Sequence, residues 1–331
     1  MSDNNSQSWK RANTDWFKDA KWGVFGHFLA GMAGGFGEDV GQNVTSDEWN
    51  KRVDSVDVAK LADQLEEIGA GYCMFTIGQN SGHFCSPNDT YDSIVGIKPS
   101  KLSRRDLIAD IAEALKPKGI SMMVYSPSGC PVHDLVACEK LEWKWNMTDA
   151  TYRDTAGAFK NTTGDRLVSF QLKWEQVIRE WSMRWGDSVK GWWLDGCYFP
   201  DDMYRFDDAP NFRSFSEALK SGNPNTLVAF NPGVITPVIC YTEYEDYTAG
   251  ELSLDLPASP GRWVDGAQYH TLGYLGSTWG AGEPRYVDEL VFGYTKDVIS
   301  KQGVVSWDVV FNYNGTIRDD FFQQLKCLAK L

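Results

Sequence analysis

Val189-Lys190-Gly191-Trp192-Trp193-Leu194-Asp195-Gly196 carries the clearest architectural signal in the chain. It is a short apolar run that ends in one carboxylate and then a glycine. Such a run fits a strand buried on both faces whose C-terminal end opens into a loop. Runs of the same kind recur at 22–28, 72–77, 120–125, 227–230, 241–247, 270–276 and 304–310, and with 191–194 they make eight strand candidates.

Helical periodicity separates many of them. Val58, Leu61, Ala62, Leu65 and Ile68 follow the spacing of an amphipathic helix. Ser103-Arg104-Arg105-Asp106 reads as a cap for a helix that runs through Leu107, Ile108, Ile111 and Leu115 and stops at Pro117 and Gly119. Further helices are predicted over 167–185 and 212–219, along Val287, Leu290, Val291, Tyr294 and Val298, and along Phe321, Leu325 and Leu328. Between the sixth and seventh strands, 253–261 reads as loop, with Pro257, Pro260 and Gly261.

Strands alternating with helices imply a parallel sheet. Eight such units closing on themselves make a (β/α)8 TIM-type barrel, irregular around strands five and six. The expected organisation is a polar segment over 1–14 and a single domain over 15–331, with no C-terminal β-sandwich. An open doubly wound sheet is the competing architecture. It lacks support, because no G-x-G-x-x-G follows the first strand and no P-loop occurs.

A net charge of −13 repels phosphate backbones and anionic lipid, which disfavours nucleic acid and membrane partners. No apolar run is long enough to span a bilayer. The opening MSDNNSQSWKRANTDW has no apolar h-region, so the expected location is cytoplasmic, or secreted or periplasmic if a leader has been removed. Seven Cys at irregular spacing are not a disulfide framework, no C-x-x-C occurs, and the four His are scattered. Neither a metal nor an organic cofactor is expected.

In a barrel, functional side chains sit at the C-terminal ends of strands and in the loops that follow. That rule selects His27 after the first strand, Gln79 and Asn80 after the second, and Tyr125 at the end of the third. It then selects Asp195 at the end of the fourth, Asn231 after the fifth, Glu251 after the sixth, Trp279 after the seventh and Trp307 in the eighth. On pattern alone Asp195 serves equally well as a buried functional carboxylate, a helix cap or a strand-end acceptor. A glycosidase needs a second carboxyl group. Glu243, Glu245, Asp246 and Glu251 follow the sixth strand candidate, and Asp265 and Glu283 come later. The 14 Trp suit a site that stacks on sugar faces, as they suit a core.

These residues resemble the family 29 glycoside hydrolases, the α-L-fucosidases, from about Asp15 to the C-terminus. Asp-Trp-Phe-Lys-Asp-Ala-Lys-Trp-Gly-Val-Phe-Gly-His-Phe over 15–28 is similar to that family's opening strand, which implies a sugar contact for His27. Glu48-Trp49 resembles its Glu-Trp loop pair. Trp192-Trp193-Leu194-Asp195-Gly196 resembles its nucleophile strand, and 245–251 resembles the stretch after its sixth strand. Segments 263–265, 277–280, 296–303 and 314–317 follow in the family's order.

The resemblance implies an exo-acting, retaining α-L-fucosidase-like enzyme on an oligosaccharide or other glycoside. Asp195 would be the nucleophile and Glu251 the acid/base, with Glu243, Asp265 and Glu283 in reserve. His27, Glu48, Trp49, Gln79, Asn80, His83, Tyr125, Trp193, Asn231 and Trp279 would line the sugar site. One departure bears on the substrate. Gln79-Asn80 stand where typical members carry a His-His pair, with His83 nearby as a substitute. That change leaves open a related sugar such as L-galactose, or a catalytically silent sugar-binding barrel. A metal-dependent barrel enzyme is disfavoured by the absence of a ligand cluster in the sequence.

Overall fold

The computed structural model describes residues 9–31, 43–145, 151–153, 159–161 and 164–331. Seven parallel strands form one sheet: β1 (Trp22–Gly26), β2 (Tyr72–Thr76), β3 (Ser121–Pro127), β4 (Val189–Asp195), β5 (Leu227–Phe230), β6 (His270–Tyr274) and β7 (Val304–Val309). Their order is β6-β7-β1-β2-β3-β4-β5, so neighbours in space are neighbours in sequence except at β7–β1. The architecture is α/β and consistent with a TIM-like barrel.

Period-two alternation sorts the side chains of each strand. Val24, Cys73, Phe75, Met122, Val124, Trp192 and Leu194 belong to an outer core shared with the helices. Phe25, Tyr72, Met74, Met123, Tyr125, Trp193, Leu227, Ala229, Leu272 and Val304 meet in one inner cluster. Side chains from all seven strands touch there because the sheet curls. Phe17, on the helix Asp15–Ala20, closes one end of the cluster against Tyr72, Tyr247 and His270 at centroid distances of 5.0, 4.9 and 5.5 Å.

The sixth strand expected over 241–247 is not a strand. The segment 246–252 instead touches the sheet's two outer edges through isolated bonds. Asp246 N donates to Val228 O (2.8 Å) on β5, while Leu272 N donates to Gly250 O (2.8 Å) and Leu252 N to Leu272 O (2.9 Å) on β6. Side chains take over where a ladder would supply carbonyls. Val228 N donates to Asp246 Oδ2 (2.9 Å) and Phe230 N to Glu245 Oε2 (3.3 Å). Gly250 adds a kink at φ +59°, where a Cβ would stand 2.0 Å from His270 O.

The helices Val58–Ile68 and Phe212–Leu219 lie where periodicity places them, and Val168–Trp185 begins one residue later than expected. Ser103 does not cap the next helix. The helix is Leu107–Leu115, and its N-cap is Asp106, whose side chain accepts from Ala109 N, while Ser103 Oγ turns to Arg105 O (2.6 Å). Between β5 and β6 the chain has no helix, only a two-strand hairpin, Trp263–Val264 with Ala267–Gln268. The polar N-terminal segment is described from Trp9 onward. Ala12 N donates to Asp246 Oδ1 (2.6 Å) and Arg11 Nε to Glu245 O (2.6 Å), so this stretch docks on the same irregular segment. Its part before Trp9 lies outside the described residues. Among the described residues no helix is long and apolar enough to cross a membrane.

Candidate active site

Tyr125, Trp193 and Asp195 share the inner face, because Asp195 follows Trp193 by two residues and Trp193 registers opposite Tyr125. The indole of Trp193 stacks on the Tyr125 ring at 5.6 Å and 21°, and its N–H donates to Ala249 O (3.0 Å). The strand therefore carries Asp195 to the mouth of the inner core, where it is half-buried.

Three donors converge on its carboxylate. Tyr125 OH donates to Oδ2 (2.7 Å), and Tyr198 OH and Asn231 Nδ2 donate to Oδ1 (2.9 Å each). Burial, and then the charge of Asp195, push both phenols well above their ordinary range, so each keeps its proton and remains a donor. Gln79 Nε2 in turn donates to Tyr125 OH (2.7 Å), orienting it.

Asn231 is fully buried at the end of β5, and its Nδ2 also donates to Glu251 Oε2 (2.6 Å). The two bonds to that nitrogen cap the separation of the two acceptor oxygens at 5.5 Å. Glu251 is buried, and its carboxyl is pushed up to about 7, first by burial and then by the negative charge of Asp195; the Asn231 bond opposes the shift. The site thus pairs a carboxylate held by three donors with a neighbouring carboxyl group that retains a proton near neutrality.

A second group flanks this pair. His27 Nδ1 lies 2.9 Å from Asp308 Oδ1, and Gly280 N donates to Asp308 Oδ2 (2.6 Å). Asp308 is buried, which raises its carboxyl, with His27 acting in the opposite direction. The ring of His27 lies 6.0 Å from Tyr125 and 6.1 Å from the half-buried Trp279. Gly280 sits at φ +61°, where a Cβ would come within 2.9 Å of the His27 Cβ, so the turn after Trp279 closes directly on the histidine.

The structure thus brings together Asp195, Glu251, Asn231, Tyr125, Trp193, Gln79, His27 and Trp279. Asn80 is half-buried next to Gln79, and its carbonyl accepts from His133 N (2.9 Å). Others stand apart. Glu48 is an exposed capping-box residue that accepts from Thr45 N (2.8 Å) and Oγ1 (2.7 Å). Trp49 is fully buried in the outer core with its N–H on Phe84 O (3.0 Å). His83 is buried with its ring on Trp49 and Nε2 on Val44 O (3.1 Å). Of the reserve acids, Glu243 and Asp265 are exposed, and Glu283 is an exposed partner of Arg318 (3.3 Å). Glu245 and Asp246 are buried, but they are spent on backbone N–H groups and on Lys220 (2.6 Å). Trp307 faces the outer core, with its N–H on Thr295 Oγ1 (2.9 Å).

The fold is shared with glycoside hydrolases of known structure. An endo-fucoidan hydrolase of glycoside hydrolase family 107 is 16% identical, with a TM-score of 0.67 over 94% of this chain and 90% of that one. The α-L-fucosidase AlfC from Lactobacillus casei, solved with α-L-fucose, is 16% identical, with a TM-score of 0.65 over 96% and 98%. A second endo-fucoidan hydrolase of family 107 gives a TM-score of 0.69 at 16% identity over 96% of this chain, which spans about half (53%) of its length. Comparison with protein-family models finds no match. Comparison with curated protein sequences finds none either.

Tyr198 and Asp308 belong to the cluster but were not among the residues the sequence singled out. Asp308 had a usable signal. Along β7, Val305, Trp307 and Val309 pack outward, so alternation turns Asp308 inward, beside the end of β1. Tyr198 had none, because a loop residue three positions past a strand end has no periodicity to follow. Among the described residues, no three His, Cys, Asp or Glu side chains converge as metal ligands.

Proposed function

We propose that the protein is a retaining, exo-acting glycoside hydrolase that releases a terminal L-fucose or a closely related sugar. Asp195 is the nucleophile and Glu251 the acid/base. The reading rests on one observation above all, the Asn231 amide that holds both carboxyl groups with their acceptor oxygens no more than 5.5 Å apart. Retaining enzymes hold their carboxyl pair at about 5–5.5 Å, whereas inverting ones leave room for a water between them.

In the first step Asp195 Oδ attacks the anomeric carbon while Glu251 gives its proton to the departing glycosidic oxygen. In the second, Glu251 takes a proton from water, which attacks the same carbon and frees Asp195. His27, held by Asp308, and the half-buried Trp279 offer a polar contact and an apolar face to the sugar. The test is hydrolysis of an aryl α-L-fucoside with the anomer of the first-formed product read by NMR. Release of the α-anomer supports the reading, and first formation of the β-anomer overturns the retaining mechanism.

One observation favours a second sugar specificity. Gln79 commits one amide N–H to Tyr125, which holds its planar amide in one orientation toward a sugar hydroxyl. A panel that includes an aryl α-L-galactoside distinguishes the two sugars by kcat/KM. Saturable binding across the panel without Asp195-dependent turnover would leave a sugar-binding barrel instead.

A further inference from the structure

The seven cysteines are all free thiols, and five of them lie against groups other than a second sulfur, Cys240 also accepting from Arg11 Nη2 (3.3 Å). Cys85, Cys197, Cys240 and Cys327 turn toward backbone carbonyls at 3.5, 3.9, 3.3 and 3.7 Å, and Cys73 is fully buried on β2. Cys130 and Cys138 differ. Their sulfurs lie 3.3 Å apart, with the Cys130 thiol donating.

We propose that Cys130 and Cys138 are a site of reversible disulfide formation, oxidised by exchange with a small-molecule disulfide. The local fold holds both sulfurs. Asp134 N donates to Pro131 O (2.9 Å), and Asp134 Oδ1 caps the helix Leu135–Leu141 by accepting from Val136 N (3.1 Å) and Ala137 N (3.0 Å). Cys138 N donates to Asp134 O (2.9 Å), and its thiol also lies 3.5 Å from Pro131 O. The bend over 131–138 therefore sets Cys138 on the first turns of the helix facing back to Cys130. Bonding requires the sulfurs to close to about 2.05 Å, a short movement of two side chains.

Exposure assigns the order of events. Cys138 is half-buried and open to a small reagent, whereas Cys130 is 3% exposed. The Cys138 thiolate attacks one sulfur of the external disulfide; that S–S bond breaks, one thiolate leaves, and a mixed disulfide remains on Cys138. Cys130 then loses its proton and attacks the Cys138 sulfur, expelling the second thiolate. Two protein thiols are oxidised by two electrons, one external disulfide is reduced to two thiols, and the protons released are taken up by the departing thiolates. Contact with Cys130 draws the Cys138 thiol below its ordinary range, and burial pushes Cys130 up, which suits an attacking and a resolving thiol.

The bond would tie down a loop next to the candidate active site. Ser128 N donates to Asp195 O (2.7 Å) and His133 N to Asn80 O (2.9 Å), so both ends of this loop touch site residues. The proposal does not depend on the glycosidase reading. It is tested by treating the full chain with glutathione disulfide under native conditions, then unfolding it in guanidinium chloride with iodoacetamide, digesting and analysing by mass spectrometry. The expected result is a Cys130–Cys138 linked peptide, lost on treatment with dithiothreitol, with the other cysteines alkylated. Cys130→Ser should trap a stable glutathione adduct on Cys138, and Cys138→Ser should leave Cys130 alkylated. Alkylation of both in the wild type, a lasting wild-type adduct on Cys138, or cross-links to any other cysteine would overturn it.

Discussion

Asp195 and Glu251, 56 residues apart in sequence, accept hydrogen bonds from the same nitrogen, Asn231 Nδ2, at 2.9 and 2.6 Å. Asp195 ends a regular strand, whereas Glu251 lies on a segment attached to the sheet by isolated bonds only. The shared amide fixes the irregular segment's acid against the regular strand's carboxylate. Burial first, and then repulsion from the negative charge of Asp195, favour the protonated form of Glu251.

Replacing the nucleophile tests the proposed chemistry most directly. Asp195→Ala is expected to lower kcat on an aryl α-L-fucoside by about 10³-fold or more. Added azide should restore part of the rate, because a small anion can enter the vacated space and attack the anomeric carbon. Its product should be a glycosyl azide of inverted configuration, identifiable by NMR.

The raised carboxyl of Glu251 predicts an alkaline limb. As general acid it must hold a proton, so kcat/KM is expected to fall as pH rises through about 7. Glu251→Gln should abolish that limb. Its loss of rate should be far smaller with a dinitrophenyl leaving group, which departs without protonation, than with an alkyl one. A pH profile measured with both substrates checks the assignment.

Asn231 stabilises the ionised form of Glu251, opposing burial. Asn231→Leu removes that donor while keeping similar volume. The alkaline limb should move to higher pH, and kcat should fall by about 10²-fold as the two carboxyl groups lose their common anchor. An unmoved limb would show that the amide does not set the proton affinity of Glu251.

Stability should depend on pH through a different residue. Glu175, buried on the helix Val168–Trp185, accepts from Ser214 Oγ (2.7 Å), and burial pushes its carboxyl from 4.5 up to about 7. A folded-state value above the unfolded one favours the protonated folded form. The contribution is complete below about pH 4.5 and is lost as pH rises through about 7. Glu175→Gln keeps an acceptor for Ser214 and removes the charge. Urea unfolding of the two proteins should show the variant gaining on the wild type between pH 5 and 8, by on the order of 2 kcal/mol.

Much of this protein can be read from local pattern. Seven of eight strands, the amphipathic helix Val58–Ile68 and the placement of Asp195 at a strand end follow from periodicities of 2 and 3.6, which depend on near neighbours only. The segment 241–247 misled because apolar runs signal burial, not hydrogen-bond partners. Here the carboxylates of Glu245 and Asp246 occupy the N–H groups that a strand would have used. Glu48, Trp49 and His83 show the same limit at the site, since a short motif names residue types but not the direction in which they point. Tyr198, Asp308 and the bridging amide of Asn231 were settled by distance in three dimensions. Tyr198 reaches Asp195 through the turn that follows the strand, and Asp308 and Asn231 reach their partners across neighbouring strands, each at 2.9 Å; periodicity assigns a residue to a face but not to the atoms it meets there.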